Sequence, residues 1–305
     1  MKKVGICYHP KLETARALAE ELRGVLPSQV EEVWVSSAWD EEATRQHVPG
    51  TDLLICVGGD GTVLRGARAI VPHTTLLLGV NMGRLGFLTE LDQSEVFQRL
   101  PAILAGEGHV EERAMLHVDV VLAGGAIESG ESVRFHALND VVVGREAFGR
   151  TIQVGVRVDG ILVADYRADG VVVATATGST AYSQSLGGPI LHPEAREFLL
   201  TPVAPHLSPM NPLVLQSSAV VELIPAAEQR AVLSIDGESH REIASGQAIR
   251  VSLSAHVARF LRFGPPSRFY DLVARRLKWR HPLEPEAPSD ESRLAVGEES
   301  LPAGS

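Results

Sequence analysis

The chain of 305 residues is 45% apolar and 22% charged, the make-up of a folded protein, which excludes wholesale disorder, a fibrous repeat and a small disulfide scaffold. At roughly 150 residues per domain the length leads to an expectation of two domains. A formal net charge of −10 repels polyanions, so no nucleic-acid partner is expected.

The N-terminal stretch has a basic start, but its apolar run is too short for a signal peptide, and no segment approaches the roughly 18 to 20 apolar residues that would span a bilayer. No membrane partner is expected. Two cysteines, Cys7 and Cys56, each sit inside an apolar strand-like run and read as small packed hydrophobes, which fits a cytoplasmic setting.

In chain order, residues 2–8 read as a buried strand and residues 11–26 as a helix with Leu12, Ala15, Leu18, Leu22, Val25 and Leu26 at helical spacing. Residues 52–57 and 74–80 read as two more strands, each ending in glycines, with a helix over 62–71 between them. Ser94 is the expected N-cap of a further helix that Pro101 should bend or shorten. Alternating strands and helices imply an α/β, doubly wound N-terminal domain over 1–112.

From residue 113 to 265 the rhythm changes to short alternating segments such as TIQVGVRVDGILVADY, DGVVVAT and RAVLSIDG, which predict a mostly-β domain. Asp159-Gly160 between two such runs suits a two-residue hairpin turn. Helical periodicity returns over 266–281, a closing helix expected to pack back on the first domain. Residues 283–305 hold six acidic residues, one arginine and three prolines with few large apolar side chains, and are expected to be disordered.

The sharpest motif is the strand 52–57 followed by Gly58-Gly59-Asp60-Gly61-Thr62. Glycines let backbone N–H groups approach phosphate oxygens, and a following helix aims its free amides at the same place, so Gly58, Gly59, Gly61 and Thr62 are candidate phosphate and ATP contacts. The order is neither the dinucleotide fingerprint nor the Walker loop. A carboxylate among such amides repels phosphate unless it has a chemical task, which makes Asp60 the candidate catalytic residue; a plain turn in which Asp60 caps the helix explains the isolated motif equally well. A second glycine loop, Asn81-Met-Gly83-Arg84-Leu-Gly86-Phe87, follows the next strand and belongs at the same crevice if the sheet is open and parallel.

With Ala137-Leu-Asn139-Asp140, the run Asp169 to Pro189, and Thr201-Pro-Val-Ala-Pro-His206, these loops give the chain a pattern that resembles the NAD kinase family across most of residues 1–280. The resemblance implies transfer of the terminal phosphoryl of ATP, or of inorganic polyphosphate, to the adenosine-ribose 2′-hydroxyl of NAD, giving NADP, with Mg2+ or another divalent cation and with NAD and ATP as substrates. It implies that Asp60 acts as general base or orients the attacking hydroxyl, and that NAD is bound by Gly61, Phe87, Asn139, Asp140, Arg167, Asp169, Thr180, Ala181, Tyr182, Ser185, Ala204, His206 and Asp236. Asp140 stands where the family commonly has Glu, one methylene longer. A homodimer or homotetramer is implied, because a neighbouring subunit can complete the site. A lipid kinase of the same superfamily and a non-catalytic dinucleotide sensor are the rival readings.

Overall fold

The computed structural model describes residues 1–83, 86–122, 134–146, 150–206 and 210–276. Residues Met1–Gly264 form one compact unit, and a second begins at Pro265. The acidic tail at 283–305 and the loop residue Arg84 lie outside the described residues.

The N-terminal half builds a parallel sheet from β1 (Lys3–Tyr8), β2 (Glu32–Ser37), β3 (Leu53–Gly58) and β4 (Leu76–Asn81), in spatial order β4-β3-β1-β2. Its crossover helices are α1 (Glu13–Val25), α2 (Glu41–His47) and α3 (Asp60–Ala69). A two-residue strand β5 (Leu91–Asp92) and helix α4 (Glu95–Ala105) follow. Leu18 and Leu22 of α1 with Leu100 and Ile103 of α4 cover one face through Ile6, Ile55 and Leu78. Val63, Leu64 and Ala67 of α3 cover the other through Cys7, Leu54, Cys56 and Leu77, which makes the sheet doubly wound. Both cysteines are free and buried.

Ser94 occupies the N-cap position of α4 as expected, with one difference. Ser94 makes no side-chain cap; the Asp92 carboxylate accepts from the N–H of Ser94 and Glu95 instead, because an aspartate two residues upstream already reaches both donors. Pro101 lies inside α4, which runs on to Ala105 and is not shortened by it. Strand β2 and helix α2 are regular elements that the sequence pattern does not predict, α2 capped by Asp40 accepting from the N–H of Ala43.

The C-terminal half is mostly β: β6 (His109–Leu122), β7 (Arg134–Ala137), β8 (Asp140–Arg145), β9 (Ile152–Val158), β10 (Ile161–Ala168) and β11 (Gly170–Ala174) precede a short helix α5 (Tyr182–Ser185). Then come β12 (Phe198–Val203), β13 (Leu213–Leu215), β14 (Val221–Pro225), β15 (Ala231–Ile235), β16 (Glu238–Ile243) and β17 (Gln247–Arg262). A small sheet β13-β12-β11-β8-β15-β16 packs on strands of the large one through Val118, Val156, Val171, Val173, Phe198 and Leu233. Asp159-Gly160 forms the β9–β10 turn with φ of 51° and 81°, the two positive values a type I′ turn requires.

Strand β17 joins the halves. Its first part pairs with β14 and its last part runs parallel to β4, Phe260 beside Leu77, while β6 lies antiparallel along nearly its whole length. The parallel sheet therefore continues into the β-rich half without a seam. Helix α6 (Arg268–Arg276) lies in the second unit. No helix among the described residues is long and apolar enough to cross a membrane.

Candidate active site

Strand β3 is buried throughout and ends at Gly58; its neighbour β4 ends in register with it, Gly58 beside Asn81. Both glycine loops thus leave the same carboxyl edge of the sheet, the place where open α/β sheets bind ligands. Helix α3 starts at Asp60 rather than at Thr62, because Gly59 takes the cap position in extended backbone. The Asp60 side chain does not cap its own helix. It reaches across to the second loop, where its oxygens accept from the N–H of Phe87 at 2.9 Å and of Leu88 at 3.0 Å.

Gly86 makes this possible, since a Cβ there would coincide with the Asp60 carboxylate. By contrast a Cβ at Gly59 or Gly61 would meet nothing within 4 Å, so the first turn of α3 faces open space that a ligand can enter. The Thr62 hydroxyl is buried beside Gly58 without a hydrogen-bond partner.

The Phe87 loop is held from behind by a buried ionic network that sequence reasoning missed. Arg113 donates to the Phe87 carbonyl at 3.3 Å and Arg262 to the Leu88 carbonyl at 3.2 Å. Arg262 also pairs with Glu90 at 3.3 Å and Glu111 at 3.0 Å, and Glu111 with Arg113 at 2.7 Å. Burial first, then the charge of Arg262, pushes Arg113 down to about 10, against the pull of Glu111 and of Asp60. These residues come together only through the pairing of β6 with β17, for which no local sequence signal exists.

A second cluster surrounds Asn139 and Asp140, at the start of β8. Asp236, in the β15–β16 turn with φ of 51°, accepts from the backbone N–H of Leu138, Asn139 and Asp140 at 3.1, 2.7 and 3.1 Å. On the other side Thr175 donates its N–H to the Asn139 carbonyl and its hydroxyl to that of Leu138. Gly178 lies so close to the Asn139 backbone that no Cβ fits between them. The turn over 178–180 and helix α5 follow directly and expose Tyr182 and Ser185, with Thr180 and Ala181 half-buried.

Asp140 is 4% exposed, and burial together with the negative charge of Asp236 raises its carboxyl to about 7. Burial also raises Asp236, opposed by Arg68 and the three N–H donors. Burial, then Asp169 and Asp140, raise the Tyr182 hydroxyl, which places Tyr182 in the field of both acids. Asp169 itself is gripped by Arg145, with nitrogen–oxygen distances of 3.0 and 3.1 Å.

Helix α3 ties the two clusters together. Arg68, eight residues after Asp60, donates to the Ile235 carbonyl at 3.4 Å and to Glu238 at 2.8 Å, and lies 3.7 Å from Asp236. Arg65 pairs with Glu238. Leu138 shares one buried apolar cluster with Val63, Leu64 and Leu88. His206 donates its N–H to the Arg167 carbonyl at 2.7 Å, and with Arg150, Thr151, Gln153 and Gln229 the two residues line a cavity of about 520 Å³ to which neither Asp60 nor Asn139 contributes. Ala204 adopts a positive φ of 44° at the exposed end of β12.

This arrangement matches known proteins over both halves. The ATP-NAD kinase N-terminal domain family matches residues 4–108 and the ATP-NAD kinase C-terminal domain family residues 138–263. An NAD kinase of Dehalococcoides mccartyi is 39% identical over 277 residues, 91% of this chain and 96% of that protein. One of Chloroflexus aggregans is 34% identical over 279 residues, 91% of this chain and 99% of that protein. The NAD kinase from Archaeoglobus fulgidus in complex with ATP superposes with a TM-score of 0.67 at 26% identity, covering 90% of this chain and 98% of its own. Yeast NADH kinase complexed with NADH has a TM-score of 0.79 at 23% identity over 94% of this chain and 90% of its own, a likeness of fold. The chain belongs to the NAD kinase family.

Proposed function

We propose that the chain phosphorylates NAD to NADP, taking the terminal phosphoryl of ATP. The observation that carries the reading is the position of Asp60, pinned by two loop amides at the mouth of the crevice, with open space over Gly59 and Gly61. Each Asp60 oxygen accepts one N–H and keeps a further lone pair for a substrate hydroxyl. The adenosine-ribose 2′-hydroxyl attacks the terminal phosphorus in line and gives its proton to Asp60. The new P–O bond forms as the bridging P–O bond breaks, and ADP leaves with that electron pair.

Amides of the Gly58–Thr62 turn receive the donor phosphates. Asn139 and Asp140 hold ribose hydroxyls, Thr180, Ala181 and Ser185 the adenine, and Tyr182 packs on that ring, with Phe87, Asp169 and Ala204 bordering the dinucleotide. Asp236 is a positioning residue: its side chain has no exposure and acts by fixing the backbone of 138–140. A divalent cation would be held by the donor's phosphates together with few protein ligands, as Mg2+ usually is; among the described residues no three of His, Cys, Asp and Glu gather into a set that would hold it alone. Arg167 and His206, which line a cavity that Asp60 does not share, suit the completion of a neighbouring subunit's site in a dimer or tetramer. The buried reduced thiols fit a cytoplasmic enzyme.

Membership of the family favours this reading over a lipid kinase or a silent sensor. The test is purified protein with NAD, ATP and magnesium, followed by an NADP-specific dehydrogenase; polyphosphate replaces ATP in a parallel arm. No NADP in either arm, with NAD still bound, leaves the sensor reading in its place.

A further inference from the structure

A cavity of about 330 Å³ opens between α2, α3, β7 and β17, and none of Asp60, Asn139, Asp140 or Thr180 lines it. On a chain of net charge −10 its lining is unusual: three guanidinium groups, of Arg45, Arg68 and Arg134, face it against the single carboxylate of Glu41. Glu41 is taken up by Arg45 at 2.6 Å. The other acids nearby also have partners. Asp119 pairs with His117 at 3.0 Å and with Arg134 at 3.6 Å, while Asp236 and Glu238 sit on Arg68.

Arg68 carries the second observation. Its side chain is 5% exposed and its Nη atoms are engaged, but its Nε is buried without a hydrogen-bond partner. A buried charged donor left unpaired is costly, which leaves the Arg68 guanidinium with hydrogen-bonding capacity that its present partners do not use. His136 and His256 complete the polar lining. Burial, then His117, His256 and Arg45, lower His136 to about 4 against the pull of Asp119, so it is a neutral imidazole and can donate one hydrogen bond to an anion. Phe135 and Ile235 give the cavity an apolar wall.

We infer that this cavity is a second binding site, for a small phosphate monoester, held by the guanidinium groups of Arg45, Arg68 and Arg134 and by the imidazoles beside them. Guanidinium forks match the oxygen spacing of a phosphate dianion, and the wall accommodates a compact organic body. At about 330 Å³ the cavity lies at the small end of ligand pockets, too small for a dinucleotide.

The test is calorimetric titration of the full chain with glycerol 2-phosphate in saturating NADP, for the natural protein, Arg45→Gln and Arg134→Gln. The expected result is one saturable binding process, weakened about tenfold by each substitution, the worth of one charge-assisted contact. Absence of saturable heat up to about 10 mM overturns the site. So does equal affinity in all three proteins, which would place the anion on the glycine loop of the active site. Arg134 is 64% exposed, so Arg134→Gln keeps the comparison valid should Arg45→Gln lower the unfolding temperature.

Discussion

Arg68 Nη1 lies 3.7 Å from Asp236 Oδ2, and the two side chains are 5% and 0% exposed. The guanidinium rides on the helix that begins with Asp60, and the carboxylate holds the N–H groups of residues 138–140. Helix α3 and the backbone of residues 138–140 are therefore joined through one buried ion pair. Removing one partner of such a pair leaves an uncompensated charge. Asp236→Ala is expected to lose about 3–5 kcal/mol in urea unfolding. Asp236→Asn keeps the turn, because Asn tolerates positive φ, and should raise KM for NAD more than it lowers kcat. Wild-type stability in Asp236→Ala would refute the coupling.

Asp60→Asn preserves size and can still accept one loop N–H, but it cannot take a proton. Turnover should fall by about 10²- to 10⁴-fold while NADP binding, read by calorimetry, changes only a few-fold. A near-normal kcat at saturating NAD and ATP would move the base elsewhere.

Gly86→Ala tests the same contact from the opposite side, because the added methyl takes the space of the Asp60 carboxylate. The carboxylate must leave the Phe87 and Leu88 amides, so activity should drop nearly as far as in Asp60→Asn, with an overpacking cost of about 1–3 kcal/mol. Since both changes destroy one arrangement, the double variant should be little worse than either single one. Additive losses in the rate would show that Gly86 and Asp60 act independently.

Tyr182 is 42% exposed beside the Thr180–Ser185 turn, a platform without a covering group. If the adenine stacks on it, Tyr182→Ala should raise KM for NAD roughly tenfold and Tyr182→Phe hardly at all. An equal effect of both substitutions would point to the hydroxyl rather than the ring.

Much of this geometry was legible in the chain, for identifiable reasons. Strands β1, β3 and β4 are continuous apolar runs because helices bury both faces, and the glycine loops stand out because the backbone there leaves room for the Asp60 carboxylate at Gly86 and for open space at Gly59 and Gly61. Strand β2 was silent: EVWVSS lies at the sheet edge and is half polar. Helix α2, EEATRQH, has almost no apolar stripe and is announced only by its Asp40 cap. The second half of β17, SAHVARFLR, does not alternate cleanly because a bulge interrupts its pairing with β6. The partners of Asp60 were hidden because Phe87 and Leu88 contribute backbone, and the arginines behind them arrive from 26 and 174 residues away.

Asp140 supplies a pH signature. Its carboxylate is buried, none of the described residues donates to it, and burial with the charge of Asp236 raises it from 3.8 to about 7. Between pH of about 4 and 7 the folded chain holds a proton there that the unfolded chain has released, so stability must fall as pH rises through that window. The contribution is complete below about 4 and lost above about 7; at 1.36 kcal/mol per unit it amounts to at most about 4 kcal/mol. The comparison needs Asp140→Asn, which removes this proton and leaves every other titrating group in place. Denaturant unfolding at pH 4, 6 and 8 should show the variant gaining on the natural protein as pH rises. Parallel curves would mean that Asp140 keeps an ordinary carboxylate's affinity for protons, and that its burial is relieved by water.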